Sequence, residues 1–143
     1  MMSLEELKAK IRWAGEEAWH KGNVDALGEV YAEDYVWRRP PLPDIEGLEA
    51  AKQSIAGARA GYSDINPSYD EWIVQGNSIA YRWTFRMKHT GQSATLPIPP
   101  TGKEVVLKGC TVVHVKDGMV VEELEYADYL GFLQQLEVVP PLG

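Results

Sequence analysis

The hydrophobic pattern of the chain changes period once, from helical to alternating, near Tyr69. Before that point Leu4, Leu7, Ile11, Ala14 and Ala18 recur at three- and four-residue intervals behind the capping-box pattern Ser3-Leu4-Glu5-Glu6. They predict a first helix that ends near Lys21-Gly22. Asn23 is placed to cap a short second helix with Leu27, Val30 and Tyr31 on its buried side. Tyr35-Val36-Trp37-Arg38-Arg39 then reads as extended chain, stopped by Pro40-Pro41. A third helix is predicted from Gly47 to Tyr62, with Leu48, Ala51, Ile55 and Ala58 along one side.

From Tyr69 the period is two. Glu71 to Gln75 leads into the turn Gly76-Asn77, after which Ile79, Tyr81, Trp83, Phe85 and Met87 alternate with Ala80, Arg82, Thr84, Arg86 and Lys88. The segment Gly91 to Gly102 holds Pro97, Pro99 and Pro100 and reads as a stiffened loop. Val105 to Val115 is a further strand, and Asp117-Gly118 turns it back into the strand that ends at Asp128, with a helix from Tyr129 to Leu136 behind it. Three helices followed by a meander of long strands predict an α+β fold. In its expected form, N-terminal helices pack on the concave face of a strongly curved, mainly antiparallel sheet. That cone-shaped, barrel-like arrangement leaves a cavity at one end.

Length and composition narrow the picture. The 143 residues fit a single domain over 1–143, with 45% hydrophobic residues for its core. A net charge of −7 argues against nucleic acid and against anionic membranes, both of which call for a basic surface. No apolar run approaches the roughly 20 residues of a membrane span, and the acidic amphipathic N-terminus lacks a signal-peptide core, so a cytoplasmic location is expected. The single Cys110 excludes an internal disulfide and suits a reducing compartment. Five Trp and seven Tyr against two Phe supply flat surfaces with a hydrogen-bonding edge, suited to a ring-shaped ligand as well as to ordinary packing.

The strand from Met119 to Ala127 supplies the first chemical candidate. Under strict alternation Leu124, Tyr126 and Asp128 share one face and Glu123, Glu125 and Ala127 the other. If Leu124 and Tyr126 face the interior, Asp128 does too, and desolvation would suit it to moving protons. Its other reading is as the N-cap of the helix behind it, and both roles can coexist. His114 lies across the intervening turn and could meet Asp128, although its strand face with Lys108, Cys110 and Val112 is equally a solvent or subunit face. His89 continues the apolar face of Ile79 to Met87, either in the pocket or at a rim that caps the loop. His20, at the end of the first helix, reads as a partner of that helix's C-terminal dipole. Three scattered histidines and one cysteine give no metal constellation, and neither a nucleophile elbow, a phosphate loop nor a dinucleotide fingerprint occurs. No cofactor is therefore expected.

Several stretches together resemble one family. These are Ala26 to Trp37 (ALGEVYAEDYVW), Gly47-Leu48-Glu49-Ala50, Gly76-Asn77 with Ile79 to Trp83, His89-Thr90-Gly91, Pro100-Thr101-Gly102-Lys103, and Asp117-Gly118 through Asp128 to Gln134-Gln135-Leu136. In this order the chain resembles the SnoaL-like polyketide cyclases of the nuclear transport factor 2-like superfamily over nearly its whole length. The resemblance implies an intramolecular aldol cyclase without metal or cofactor, in which Asp128 matches the acid/base aspartate and His89 a strand-end histidine. It also points to a homodimer. A dimer is expected independently, because the strand Val105 to Val115 is apolar on both faces and the helices can cover only one.

Departures from the family bear on the substrate more than on the fold. Met119-Val120 stands where the family reads Lys-Ile, Glu123-Leu124-Glu125 replaces an aromatic-rich Glu-x-Trp segment, and Arg38-Arg39-Pro40 replaces a His/Asp-Pro strand end. Arg39 occupies the position of the ketosteroid-isomerase base, and the oxyanion tyrosine of those enzymes falls near Gly15. Arg82-x-Thr84 and Arg86-x-Lys88 lack the Arg-x-Asp of limonene-epoxide-hydrolase-like enzymes.

The expected function is therefore general acid/base catalysis on a small apolar or aromatic carbonyl compound, by aldol-type ring closure or a related isomerisation. Asp128 and His114 are the candidate catalytic residues. Trp37, Tyr35, Arg39, Trp83, His89 and Tyr126 are the candidate substrate contacts. The rival reading is a non-catalytic ligand carrier or dimeric scaffold of the same fold, and a second is epoxide-hydrolase-like or dehydratase activity.

Overall fold

The computed structural model describes residues 3–94 and 96–143. Helix α1 (Leu4–Gly15) starts with the expected capping box, in which the Ser3 hydroxyl accepts from Glu6 N–H and the Glu6 carboxylate accepts from Ser3 N–H. It continues as a π-helical turn (Glu16–Lys21) and stops at Gly22, which takes the left-handed conformation at φ 84°. A 3-10 turn (Val24–Glu29) stands where the second helix is expected, and the Asn23 side chain does not cap it. Strand β1 (Tyr31–Arg38) and the two-residue β2 (Ile45–Glu46) follow, then α2 (Leu48–Gly61). Leu7, Ile11, Ala14, Ala18, Leu48, Ala51 and Ile55, the stripes that the periodicity marks, are buried.

Strand β3 (Tyr62–Gln75) begins seven residues earlier than the alternation suggests, running on directly from α2. Pro67 obscures this start in the sequence, yet proline is tolerated here because β3 is an edge strand with one unpaired side. β4 (Ser78–His89), β5 (Glu104–Lys116) and β6 (Met119–Ala127) complete the sheet in the order β2-β1-β6-β5-β4-β3, curved and open. Its pairs are antiparallel except β1 with β6, which run parallel. The turn at Asp117-Gly118 takes φ 53° and 77°, the doubly positive geometry that Asp-Gly favours.

The helices cover the concave face. Ile79, Tyr81, Trp83 and Met87 of β4 and Val105, Thr111 and Val113 of β5 are buried beneath them. On the convex side Val106 and Val112 are half-buried, and Lys108, Cys110 and His114 are exposed.

The departure that matters most for chemistry is in β6. His114 pairs with Glu122 and Val115 with Val120, so Val121 is an extra residue with no counterpart on β5. This bulge reverses the face of every later residue on the strand. Val120 is buried on the concave side, and beyond the bulge Glu123 is buried there while Tyr126 is 60% exposed on the other side.

Helix α3 (Tyr129–Gln135) is tied to β5 by Gln135. Its Nε2 donates to Val106 O at 2.8 Å and its Oε1 accepts from Val106 N–H at 2.7 Å, continuing the ladder where β6 has ended. Gln135→Ala should therefore lower stability by about 1 to 2 kcal/mol, the usual worth of such a hydrogen-bond pair, with an unchanged denaturant slope. Urea unfolding followed by tryptophan fluorescence checks this.

Candidate active site

A cavity of about 180 Å³ lies between the helices and the concave face of the sheet. Its walls are chiefly aromatic. Six of the seven tyrosines and both phenylalanines reach it, together with Trp19, Trp37 and Trp83. Trp19 enters from the π-helical turn and meets Trp37 and Phe85 edge-on, with ring centroids 6.5 and 5.4 Å apart. Trp83 lies against Gly109, where a side chain would collide with its ring. Its indole N–H donates to Thr111 Oγ1 at 2.8 Å. Gly15 serves Tyr69 in the same way, since the Tyr69 hydroxyl fills the space that a β-carbon at position 15 would need.

Two carboxyl groups enter this aromatic chamber. Glu123 and Glu125 lie two residues apart on the concave face of β6, opposite Val113 and Thr111 of β5. Glu123 is 8% exposed, and its carboxyl makes no hydrogen bond among the described residues. Burial, reinforced by the neighbouring charge of Glu125, pushes its pKa well above the ordinary 4.5. Burial also raises Glu125, to about 7. Its rise is limited by partners that favour the charged form: the Tyr129 hydroxyl, which donates to it at 3.2 Å, the Arg39 guanidinium, and the Trp37 indole N–H. The Trp37 N–H faces Glu125 without reaching full hydrogen-bond geometry.

The tyrosines add neutral donors. Desolvation raises Tyr31, Tyr35, Tyr69 and Tyr81 above the ordinary 10, and the Glu123 charge raises each further, so all four remain phenols. Two carboxyls with displaced titrations among neutral hydroxyls can move a proton and stabilise an oxyanion in one apolar space.

The expected site residues divide sharply. Tyr35, Trp37, Arg39 and Trp83 line the cavity. Asp128 and Tyr126 do not, because the bulge at Val121 turns them outward with Leu124, and His114 does not, because it alternates with the buried Val113 on β5. Asp128 is exposed and caps α3, its Oδ1 accepting from Gly131 N–H at 2.9 Å. It borders a shallow outer groove with Arg86, Val106, Lys108 and Gln135. His114 is also on the convex face, 3.0 Å from the Ser78 hydroxyl and 3.7 Å from the Glu122 carboxylate. His89 is fully buried, with Nδ1 3.0 Å from Thr101 Oγ1 and its ring on Tyr62, so it stands behind a wall residue. His20 meets the Ile65 carbonyl at 2.8 Å. Glu123 and Glu125 are the cavity positions that strict alternation hides, and Thr111 and Tyr129 join them in the lining. The signal of the two acids in the sequence is the cluster of three glutamates, Glu122, Glu123 and Glu125, in an otherwise apolar final strand. Among the described residues no three His, Cys, Asp or Glu side chains gather as a metal ligand set.

Comparison with known proteins accords with this architecture. The model of the SnoaL-like polyketide cyclase family matches residues 9–136. No curated protein matches the chain. Among solved structures, a candidate SnoaL-like polyketide cyclase from Jannaschia sp. CCS1 superposes with a TM-score of 0.82 at 20% identity, covering 94% of this chain and 93% of its own. AclR, a candidate hydroxylase from Streptomyces galilaeus, gives 0.82 at 20% identity over 99% and 87%. IdmH, a candidate polyketide cyclase from Streptomyces antibioticus, gives 0.77 at 23% identity over 92% and 99%. No helix in the described residues is long and apolar enough to cross a membrane.

Buried acids in a cavity lower stability in a pH-dependent way. Well below pH 4.5 both folded and unfolded chains hold the Glu125 proton; as pH rises through 4.5 the unfolded chain releases it while the folded chain keeps it until about 7. The unfolded state then binds fewer protons, so stability falls across this window, by about 3 kcal/mol for Glu125 at roughly 1.4 kcal/mol per pKa unit. Glu123 acts in the same direction. Glu123→Gln should therefore raise the melting temperature at pH 8, with the gain shrinking toward pH 4.5. A lower melting temperature at every pH would instead make Glu123 a structural support.

Proposed function

The chain belongs to the SnoaL-like polyketide cyclase family, and we propose that Glu125 is its acid/base residue, with Glu123 as a neutral donor beside it, in reactions of an apolar carbonyl compound. The observation that carries this reading is the cavity-facing carboxyl pair, Glu125 pushed up to about 7 and Glu123 held well above the ordinary carboxyl range by burial beside it.

The geometry suggests a sequence of steps. Ionised Glu125 removes a proton from the carbon next to a carbonyl. The electron pair moves onto the carbonyl oxygen as an enolate, which accepts a hydrogen bond from the Glu123 carboxylic acid or a tyrosine hydroxyl. Adjacent residues on one strand face are spaced by about 6.6 Å, leaving room for the reacting atoms between the two carboxyls. The enolate carbon then attacks a second carbonyl of the same molecule, a C–C bond forms, and the alkoxide takes the proton back from Glu125. Nothing is gained or lost overall, so the reaction drawn needs no cofactor. Holding both ends of one molecule among rigid rings supplies the entropic share of the rate, and the acid/base pair adds typically 10²–10⁴-fold.

The non-catalytic carrier reading fits less well. A carrier gains nothing from a buried carboxyl without a hydrogen-bond partner, a group that costs stability.

Deuterium exchange at the α-carbon of a linear 1,3-diketone bearing a third ketone, followed by NMR together with ring closure, tests the assignment. Glu125→Gln should slow exchange about 10²–10⁴-fold, whereas Asp128→Asn should keep wild-type exchange because the amide still caps α3. Unchanged exchange in Glu125→Gln would remove Glu125 from the mechanism. Because the base must be ionised in the free enzyme, kcat/KM should fall below a midpoint near pH 7. A wild-type profile flat from pH 5 to 9 would contradict this role.

A further inference from the structure

Arg38 and Arg39 are neighbours in sequence with opposite surroundings. Arg38 is exposed and fully engaged, donating to Asp44 at 2.7 Å and to Glu122 at 3.0 Å. Arg39 turns into the cavity wall. Its guanidinium carbon lies 5.2 Å from the centre of the Trp37 ring, and its buried Nε has no hydrogen-bond partner. Its side chain has neither ion pair nor hydrogen bond among the described residues. Yet the chain carries 21 acidic residues against 14 basic ones, so anions to pair with it are plentiful.

A guanidinium presents five N–H donors in one plane and keeps its charge. The Trp37 face fixes its plane by a cation–π contact but offers no acceptor. A cation held in place, unpaired, and open to a cavity is suited to a planar anion entering with the ligand. We propose that Arg39 is the subsite for a carboxylate on the ligand, which makes the substrate an acid-bearing, flat carbonyl compound. A single carboxylate fits better than a phosphate, since one guanidinium matches one negative charge in a bidentate fork and Arg39 is the lone Lys or Arg side chain among the wall residues.

This assignment deepens the acid/base reading of Glu125 and rests on it for its meaning in turnover. The groups facing Glu125 are Arg39 and Trp37 from the β1 side, Tyr35 on β1, Tyr81 on β4, Tyr129 on α3, and Glu123 on β6 itself. Arg39 is one of those that favour its ionised form. A ligand carboxylate that neutralises Arg39 weakens this support, and Glu125 then holds a proton more tightly. Proton uptake by Glu125 therefore accompanies binding of the acid, and turnover proceeds from the fraction of the complex in which Glu125 is still ionised, where it is a stronger base than in the free enzyme.

Calorimetry at pH 7.5 with naphthalene-2-carboxylate and the neutral naphthalene-2-carboxamide tests the subsite without any turnover. Wild-type protein should bind the carboxylate about tenfold more tightly or better, in line with a charge-assisted bidentate contact. Arg39→Met should lose that preference while binding the carboxamide as before, which also shows that the cavity is intact. Arg39→Lys should keep part of the preference. Repeating the titration in buffers of different ionisation enthalpy should reveal proton uptake with the carboxylate in wild type and none in Glu125→Gln. Equal affinity for the two probes, a preference that survives in Arg39→Met, or no binding of either at millimolar concentration would each overturn the subsite. The acid/base reading fails separately, through full exchange activity in Glu125→Gln, whichever probe binds better.

Discussion

Between Val120 and Glu122, strand β6 carries one residue more than β5 can pair, and the contents of the cavity depend on it. Without that residue Glu123 and Glu125 would face solvent, where carboxylates need no support. Leu124 and Tyr126 would then fill the chamber with apolar surface. With it, two acids stand among aromatic rings and the apolar side chains are displaced to the convex face. A bulge that alters nothing else in the topology thus converts a packed core into a cavity that holds two carboxyl groups.

Retaining the acids has consequences throughout the interior. Water or a counter-charge would normally satisfy them, yet the cavity supplies four phenols close to Glu123 and, around Glu125, the Tyr129 hydroxyl, the Trp37 indole and Arg39. Phenols solvate a carboxyl without ionising it, and they pack as well as phenylalanine. This explains why six of seven tyrosines face the cavity while only two phenylalanines occur in the whole chain. The remaining interior is ordinary: Val105, Val113, Val120, Leu7 and Ile11 are almost fully buried.

Features that repeat or punctuate the sequence were legible in it. The helical stripe Leu7, Ile11, Ala14, the alternation Ile79 to Met87, and the turns Gly76-Asn77 and Asp117-Gly118 each recur in the structure, because local periodicity and positive-φ residues determine them. The wall positions Tyr35, Trp37, Arg39 and Trp83 were legible for the same reason. The facing of the final strand was not. Alternation assumes an unbroken register, and a single inserted residue leaves no mark in composition while reversing the faces of Glu123, Glu125 and Asp128 alike. The parallel pairing of β1 with β6 was equally hidden, since it joins segments about 85 residues apart, with partners such as Val36 and Glu122.

Asp128 shows why residue identity alone misleads at such a junction. An aspartate between strand and helix satisfies the same local demand wherever it points, because its carboxylate reaches the free N–H of Gly131. Capping is a short-range property and survives a change of strand register; access to the cavity is a long-range property and does not. On the concave face Glu125 accepts a hydrogen bond from the hydroxyl of Tyr129, but Glu123 has no local use. Glu123 caps nothing and pairs with nothing, so only the cavity accounts for its place in the strand. Among the carboxylates of this strand and its cap, the absence of a local structural use therefore marks the cavity-facing group better than position at an element boundary does.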